Sequence, residues 1–242
     1  MELHRLLVLW LPAKEPPMGR RSLPKIDPSV SIEDHFTELD DVETPWSPDE
    51  FFGRSGPLEI EIGCGKGLYL LNASGQHPEK RYLGVEISHK YGQFAAYRLV
   101  LNERQNAQII RGDAMQFMHD YVGDNTAAAV HIYFPDPWWK ERHRRRRVVN
   151  RQVVKDIERV LQPTGTFHFW TDVEEYYHTA CQTIVENSDF QGPLEVPERA
   201  ADHDMDYRTH FERRMRLNDH PVYRAQFKHP AAAELHDTTA EG

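Results

Sequence analysis

Cysteine is nearly absent from this chain: its 242 residues hold two, Cys64 and Cys181. Neither belongs to a Cys/His spacing that would hold a metal, so the sequence predicts no disulfide framework, no metal site and a reducing compartment. Long apolar runs are missing too. The stretch Leu6 to Leu11 is too short to span a bilayer, meets Pro12 at once and lacks a small-residue cleavage site, so no membrane segment or leader is expected and the location should be cytoplasmic. Positive charge is the minority sign, with 29 Lys and Arg against 38 Asp and Glu and a net charge of -9, which argues against a coat of nonspecific nucleic-acid binding. There is no internal repeat.

The length suits one domain with a well-filled core. Eight of the 16 prolines fall between Pro12 and Pro57, among acidic residues without periodicity. Residues 1–57 therefore read as an irregular, partly disordered N-terminal arm, with Met18 an alternative start. Residues 58–228 form the domain and 229–242 a small, polar, mobile tail. Within the domain, strand-like and helix-like signals alternate. Strands are expected at 58–62, 82–85, 108–110, 127–133 and 166–170, and helices at 66–74, 89–103, 114–121 and across Val153, Val154, Ile157, Val160 and Leu161, the last stopped by Pro163 and Gly165. Asp172 with Glu175 forms a capping-box pattern ahead of a further helix. Such alternation predicts a doubly wound, mainly parallel sheet with helices on both faces, and ligands beyond the carboxyl ends of its strands.

Glu61-Ile-Gly63-Cys64-Gly65-Lys66-Gly67 follows the first of these strands and opens a helix, so Gly63 and Gly65 let a ligand approach the backbone. Leu68 stands where a dinucleotide fingerprint needs glycine, and a Walker A ending is missing. Glu61 would repel a pyrophosphate but could accept from an ammonium group. Glu86, ending the second strand, is placed for ribose hydroxyls, and Asp113, after the third, for an adenine amino group. Either acid alone could be an ordinary helix-start carboxylate. Their repetition after successive strands describes a site for S-adenosylmethionine.

Tyr133 to Arg147 reads YFPDPWWKERHRRRR. Prolines on both sides hold Asp136 in a narrow range of directions, and Lys140, Arg142, Arg144, Arg145, Arg146, Arg147 and Arg151 face only Glu141. Pro-Asp-Pro alone is turn chemistry and an arginine run alone a solvated face. In close succession after a buried strand they pair a rigid polar contact with an anion-seeking surface, as an RNA base and its phosphates require. Trp138 and Trp139 read as packing residues in preference to a stacking surface for the target base, and Arg208, Arg213, Arg214 and Arg216 as a second basic patch.

Residues 58–227 resemble the bacterial tRNA (guanine-N7)-methyltransferases in EIGCGKG, GVEIS, GDA, FPDPWWKERHRRRR, Thr171-Asp172 and Thr209-His210-Phe211-Glu212. The resemblance implies a Rossmann-like class I methyltransferase with a seven-stranded sheet, S-adenosylmethionine as donor, and N7 of a guanine in the tRNA variable loop as acceptor. It implies Glu61, Glu86, Asp113 and Asp136 around the cofactor. Asp136 is the candidate catalytic acid, and either it or Asp172 would accept from the target guanine and stabilise the charge the base acquires. Lys140, Asp172, Thr209, His210, Phe211 and Glu212 would meet the substrate, and Arg142, Arg144, Arg145, Arg146 and Arg147 the RNA. His210 stands where the family usually has lysine. A methyltransferase for another RNA or a small molecule, or an inactive RNA-binding module, are the alternatives, and either a monomer or a homodimer is compatible.

Overall fold

In the second strand, β2 (Leu58–Ile62), alternate side chains part. Leu58, Ile60 and Ile62 enter one hydrophobic core, while Glu59 and Glu61 point to the opposite face, as the two-residue period of a strand requires. The computed structural model describes residues 23–198, 200–201 and 207–231; the expectations for residues 1–22, the alternative start at Met18, and 232–242 lie outside these. Elements in chain order are β1 (Phe36–Glu38), α1 (Pro48–Phe52), β2, α2 (Leu68–Gln76), β3 (Arg81–Glu86), α3 (His89–Leu101), β4 (Ala107–Arg111), α4 (Ala114–Asp120) and β5 (Ala127–Tyr133). Then come α5 (Arg151–Val160), β6 (Leu161–Thr171), α6 (Glu174–Asn187), β7 (Gln191–Glu195), α7 (His210–Leu217) and β8 (Tyr223–Lys228).

Among the described residues one sheet runs β1-β4-β3-β2-β5-β6-β8-β7. The pairings from β1 across to β6 are parallel, and β8 is antiparallel to both β6 and β7. The mainly parallel, doubly wound architecture is as expected, with eight strands instead of seven. One core holds Phe117, Val154, Ile157, Tyr176 and Ile184 from α4, α5 and α6. The other, across the sheet, holds Leu70, Leu71, Ala95 and Leu99 from α2 and α3. Winding proceeds from β2 to one side and resumes at β5 on its other side. The crevice beyond the carboxyl ends of β2 and β5 is thus the topological switch point, where such sheets bind ligands.

The extra strand comes from the arm. Phe36–Glu38 pairs with β4, and Leu39, Val42, Trp46 and Phe52 are buried in the first core, with the Trp46 ring 5.0 Å from Phe117. Residues 33–57 therefore belong to the folded domain, correcting their assignment to an irregular arm. A three-residue strand between two short 3-10 turns carries no period for a sequence reading to detect. A second correction concerns α5, which passes straight into β6 at Leu161. Pro163 and Gly165 fall inside the irregular start of that strand, between the pairings Ala127 with Leu161 and Ala129 with Thr166.

Candidate active site

Three left-handed glycines bend the chain out of β2: Gly63 at φ 74°, Gly65 at 55° and Gly67 at 66°. The Gly63 N–H donates to the Val85 carbonyl at 2.8 Å, tying the loop to β3. A Cβ on Gly63 or Gly65 would meet no heavy atom within 4 Å, whereas one on Gly67 would lie 2.8 Å from the Ala95 Cβ. The first two glycines therefore face open space over the switch point, and the third lets α2 pack on α3.

Glu61 and Glu86 are both buried. Glu86 is anchored, its Oε2 accepting from the Gly65 N–H and its Oε1 from the Ser88 N–H, each at 2.8 Å. Glu61 is not: its buried Oε2 has no hydrogen-bond partner. Burial, and then the charge of Glu86, push its carboxyl well above the usual carboxylate range. A buried acceptor without a donor carries a desolvation cost that a cationic ligand would relieve. Asp113 is exposed and caps α4, its Oδ1 accepting from the Met115 N–H at 2.8 Å. The donor set and the open glycines fit S-adenosylmethionine, a cation bearing a ribose and an adenine.

The Pro-Asp-Pro turn follows β5. Phe134 and Trp138, at either end, both have left-handed backbones, φ 49° and 47°, a strain that persists only where the surroundings over-determine it. The Phe134 N–H donates to the Trp170 carbonyl at 2.8 Å and Arg147 Nε to the Pro137 carbonyl at 2.9 Å. Asp136, exposed, stands at the tip. Arg147 is 8% exposed; its guanidinium also reaches Glu175 at 2.6 Å and Thr179 at 3.0 Å and lies over the Tyr176 ring at 4.5 Å. It is thus committed to the protein, contrary to its expected place in the RNA-facing run, while Arg142, Arg144, Arg145 and Arg146 are exposed beside the exposed Lys140. Trp138 is half-buried beneath Arg146, 5.0 Å from its ring.

The start of α7 closes the rim. Thr209 Oγ1 accepts from the Glu212 N–H at 3.0 Å, and Glu212 Oε2 accepts from the Arg208 N–H at 2.7 Å. Glu212 is buried and also pairs with Arg224 at 3.2 Å, so both of its oxygens already have partners within the protein. The capping-box pattern at Asp172 and Glu175 is not formed, since Val173 takes the N-cap position of α6 and Glu175 pairs with Arg147. Asp172 directly follows β6, half-buried. His210 Nε2 lies 3.3 Å from Arg98, which donates to the Lys66 carbonyl at 2.8 Å. Partial burial and the charges of Arg98 and Lys66 push its imidazole down to about 4. The Phe211 ring lies nearly parallel to Phe134 at 5.9 Å. Residues 209–211 are thereby tied to both the glycine loop and the Pro-Asp-Pro turn.

Sequence reasoning missed a buried polar cluster that holds this arrangement. Tyr69 donates to Glu59, His131 sits 2.9 Å from both Glu59 and the Tyr133 hydroxyl, and Arg208 donates to that hydroxyl at 3.0 Å. Arg208 also lies over Trp170 at 5.2 Å. It and Arg216, which pairs with Glu198 at 3.1 Å, are therefore spent inside the fold and do not form the second basic patch. Glu59 and His131, polar at inward positions of two buried strands, were the available signal.

A family model described as "Putative methyltransferase" matches residues 55–225. A tRNA (guanine-N(7)-)-methyltransferase of Rhodopirellula baltica is 39% identical over 217 residues, covering 87% of this chain and 80% of that one. The chain belongs to the tRNA (guanine-N7)-methyltransferase family. Another member, from Myxococcus xanthus, is 34% identical over 78% of this chain and 91% of its own. Two solved structures share the fold of this methyltransferase: an antibiotic-related methyltransferase (TM-score 0.55, 16% identity, 78% of this chain and 98% of that one) and an aminoglycoside resistance methyltransferase (0.51, 15%, 75% and 91%).

Proposed function

We propose that this methyltransferase transfers the methyl group of S-adenosylmethionine to N7 of a guanine in the variable loop of tRNA. The observation that carries the reading is the buried, unpartnered oxygen of Glu61 beneath open glycines, at the same strand ends as the strained turn bearing Asp136. Glu61 would take the donor's ammonium group, Glu86 its ribose hydroxyls and Asp113 its adenine amino group, with Gly63 and Gly65 admitting it to the backbone. When bound, the cofactor supplies a sulfonium methyl, and guanine N7 has a free lone pair to receive it without surrendering a proton.

No general base is required of the chain, so positioning dominates; alignment can supply up to about 7–11 kcal/mol. Asp136 accepts from the guanine N1–H and N2 amino group and stabilises the positive charge the base acquires. Lys140, Asp172, Thr209, His210 and Phe211 line the substrate side. Arg142, Arg144, Arg145 and Arg146 take phosphates of a folded RNA whose target base must be splayed out to react. A cytoplasmic location belongs to the same proposal, supported by the likeness to tRNA methyltransferases; no helix among the described residues is long and apolar enough to cross a membrane.

Nucleoside mass spectrometry of unmodified tRNA incubated with the protein and labelled donor tests the reading. Labelled 7-methylguanosine is expected. Label in another nucleoside, or none in tRNA, overturns it.

A further inference from the structure

Trp139 is 68% exposed, more than any other large apolar side chain among the described residues. The left-handed backbone at Trp138, φ 47°, sends two successive indoles in different directions. Trp138 turns inward beneath Arg146 and against the edge of His143, 5.9 Å away. Trp139 turns out and has no ring contact or hydrogen bond among the described residues. The residues that follow it are mostly cationic: Lys140, Arg142, Arg145 and Arg146 are exposed, as is Arg144, whose guanidinium lies 3.5 Å from Glu175, and Glu141 is the one acid in that stretch.

An exposed π face that leads directly into a run of exposed cations matches a nucleotide better than an apolar protein surface. The base covers the indole, whatever its identity, and the phosphates meet the charges. Trp139 lies three residues from Asp136, at most about 11 Å along the chain, so a base stacked on it is close to the base that Asp136 holds. We propose that Trp139 is a stacking platform for an unpaired nucleobase of the RNA substrate, adjacent to the methylated guanine, with Lys140 and Arg142 on the phosphates of that nucleotide. This rests on the function proposed above and adds a requirement to it: the target guanine must have an unpaired neighbour.

The test uses the full chain, its W139A and W139F variants, and three tRNA transcripts: unmodified, and abasic immediately 5′ or 3′ of the guanine found to be methylated. W139A is expected to weaken binding of the intact transcript about 5- to 150-fold, the worth of one stacked base. W139F should remain within a few-fold of the parent, with the melting temperature and the salt dependence of binding unchanged in both. One abasic transcript should weaken the parent protein by the same factor and cost W139A nothing more. The proposal is overturned if W139A binds the intact transcript like the parent, or if its loss is the same on all three. It is overturned equally if W139A changes only self-association or capture of a protein partner. Absence of 7-methylguanosine from the parent's reaction would instead overturn the proposed function, while binding of the intact transcript by the parent, W139A and W139F would still report whether Trp139 stacks on RNA.

Discussion

Arg147 donates through Nε to the carbonyl of Pro137, the residue after Asp136, at 2.9 Å. The last arginine of a basic run is thus a strut, its other nitrogens fixed by Glu175 and Thr179 on α6. It transmits the position of a core helix to the tip of the Pro-Asp-Pro turn. Arg146, one residue earlier, faces solvent over Trp138, so neighbouring arginines serve separate ends.

Replacing Arg147 with lysine retains a charge but loses the planar fork that reaches the turn and α6 together. R147K is expected to lower the single-turnover methylation rate by up to about 100-fold, as small misplacements of a reacting group do. The salt dependence of tRNA binding should stay unchanged. Rate and affinity measured on one preparation separate the effects, and a flattened salt slope would return Arg147 to the RNA-facing run.

Charge reversal at Arg145 and Arg146 should do the opposite. Each phosphate that is no longer neutralised lowers the slope of log affinity against log salt by about 0.7 to 0.9, so the double reversal should flatten it by nearly two while weakening binding to all tRNAs alike. Titrations between low and physiological salt measure this directly. A full slope retained by the double variant would make these side chains a solvated surface only.

Asp136 is exposed at the tip of the turn, and D136N keeps its shape while removing the charge that opposes the cationic product. Turnover is expected to fall about 100- to 1000-fold, the scale of removing one electrostatic stabiliser from a transition state, with tRNA affinity nearly unchanged. Single-turnover rates beside equilibrium binding decide the matter. Parallel loss in both would make Asp136 a binding residue.

The buried strands were legible because they are short apolar runs bounded by loops: Leu58–Ile62 and Ala127–Tyr133 have the expected bounds. The acids at the strand ends were legible for the same reason, since strand register carries them to one edge. Residues 33–57 were not, because Leu39, Val42, Trp46 and Phe52 reach the core from turns and a three-residue strand. Local pattern also misled where tertiary pairing decides. Thr209 to Glu212 and Asp172 to Glu175 carry the same spacing, yet the second acid is drawn to Arg147 and only the first pair caps a helix. Nothing in a run of arginines marks the one that turns inward.

Glu61 gives the last prediction, and its sign follows from burial. Its carboxyl is held well above the usual range by desolvation and by Glu86. The folded protein therefore keeps a proton there that the unfolded chain has released, and this residue's contribution to stability declines as pH rises from the ordinary carboxylate range through the raised value. A cationic donor reverses the preference: its ammonium group favours the carboxylate, so binding below the raised value releases a proton and tightens as pH increases. Calorimetry of S-adenosylmethionine binding in buffers of different ionisation enthalpy should detect that proton, and E61Q should abolish the release while weakening binding at least tenfold. E61Q should also be relatively more stable than the parent toward alkaline pH, because it removes a buried group that must otherwise charge without a partner. Proton release undiminished in E61Q would place the titrating group elsewhere, and the cofactor's ammonium group with it.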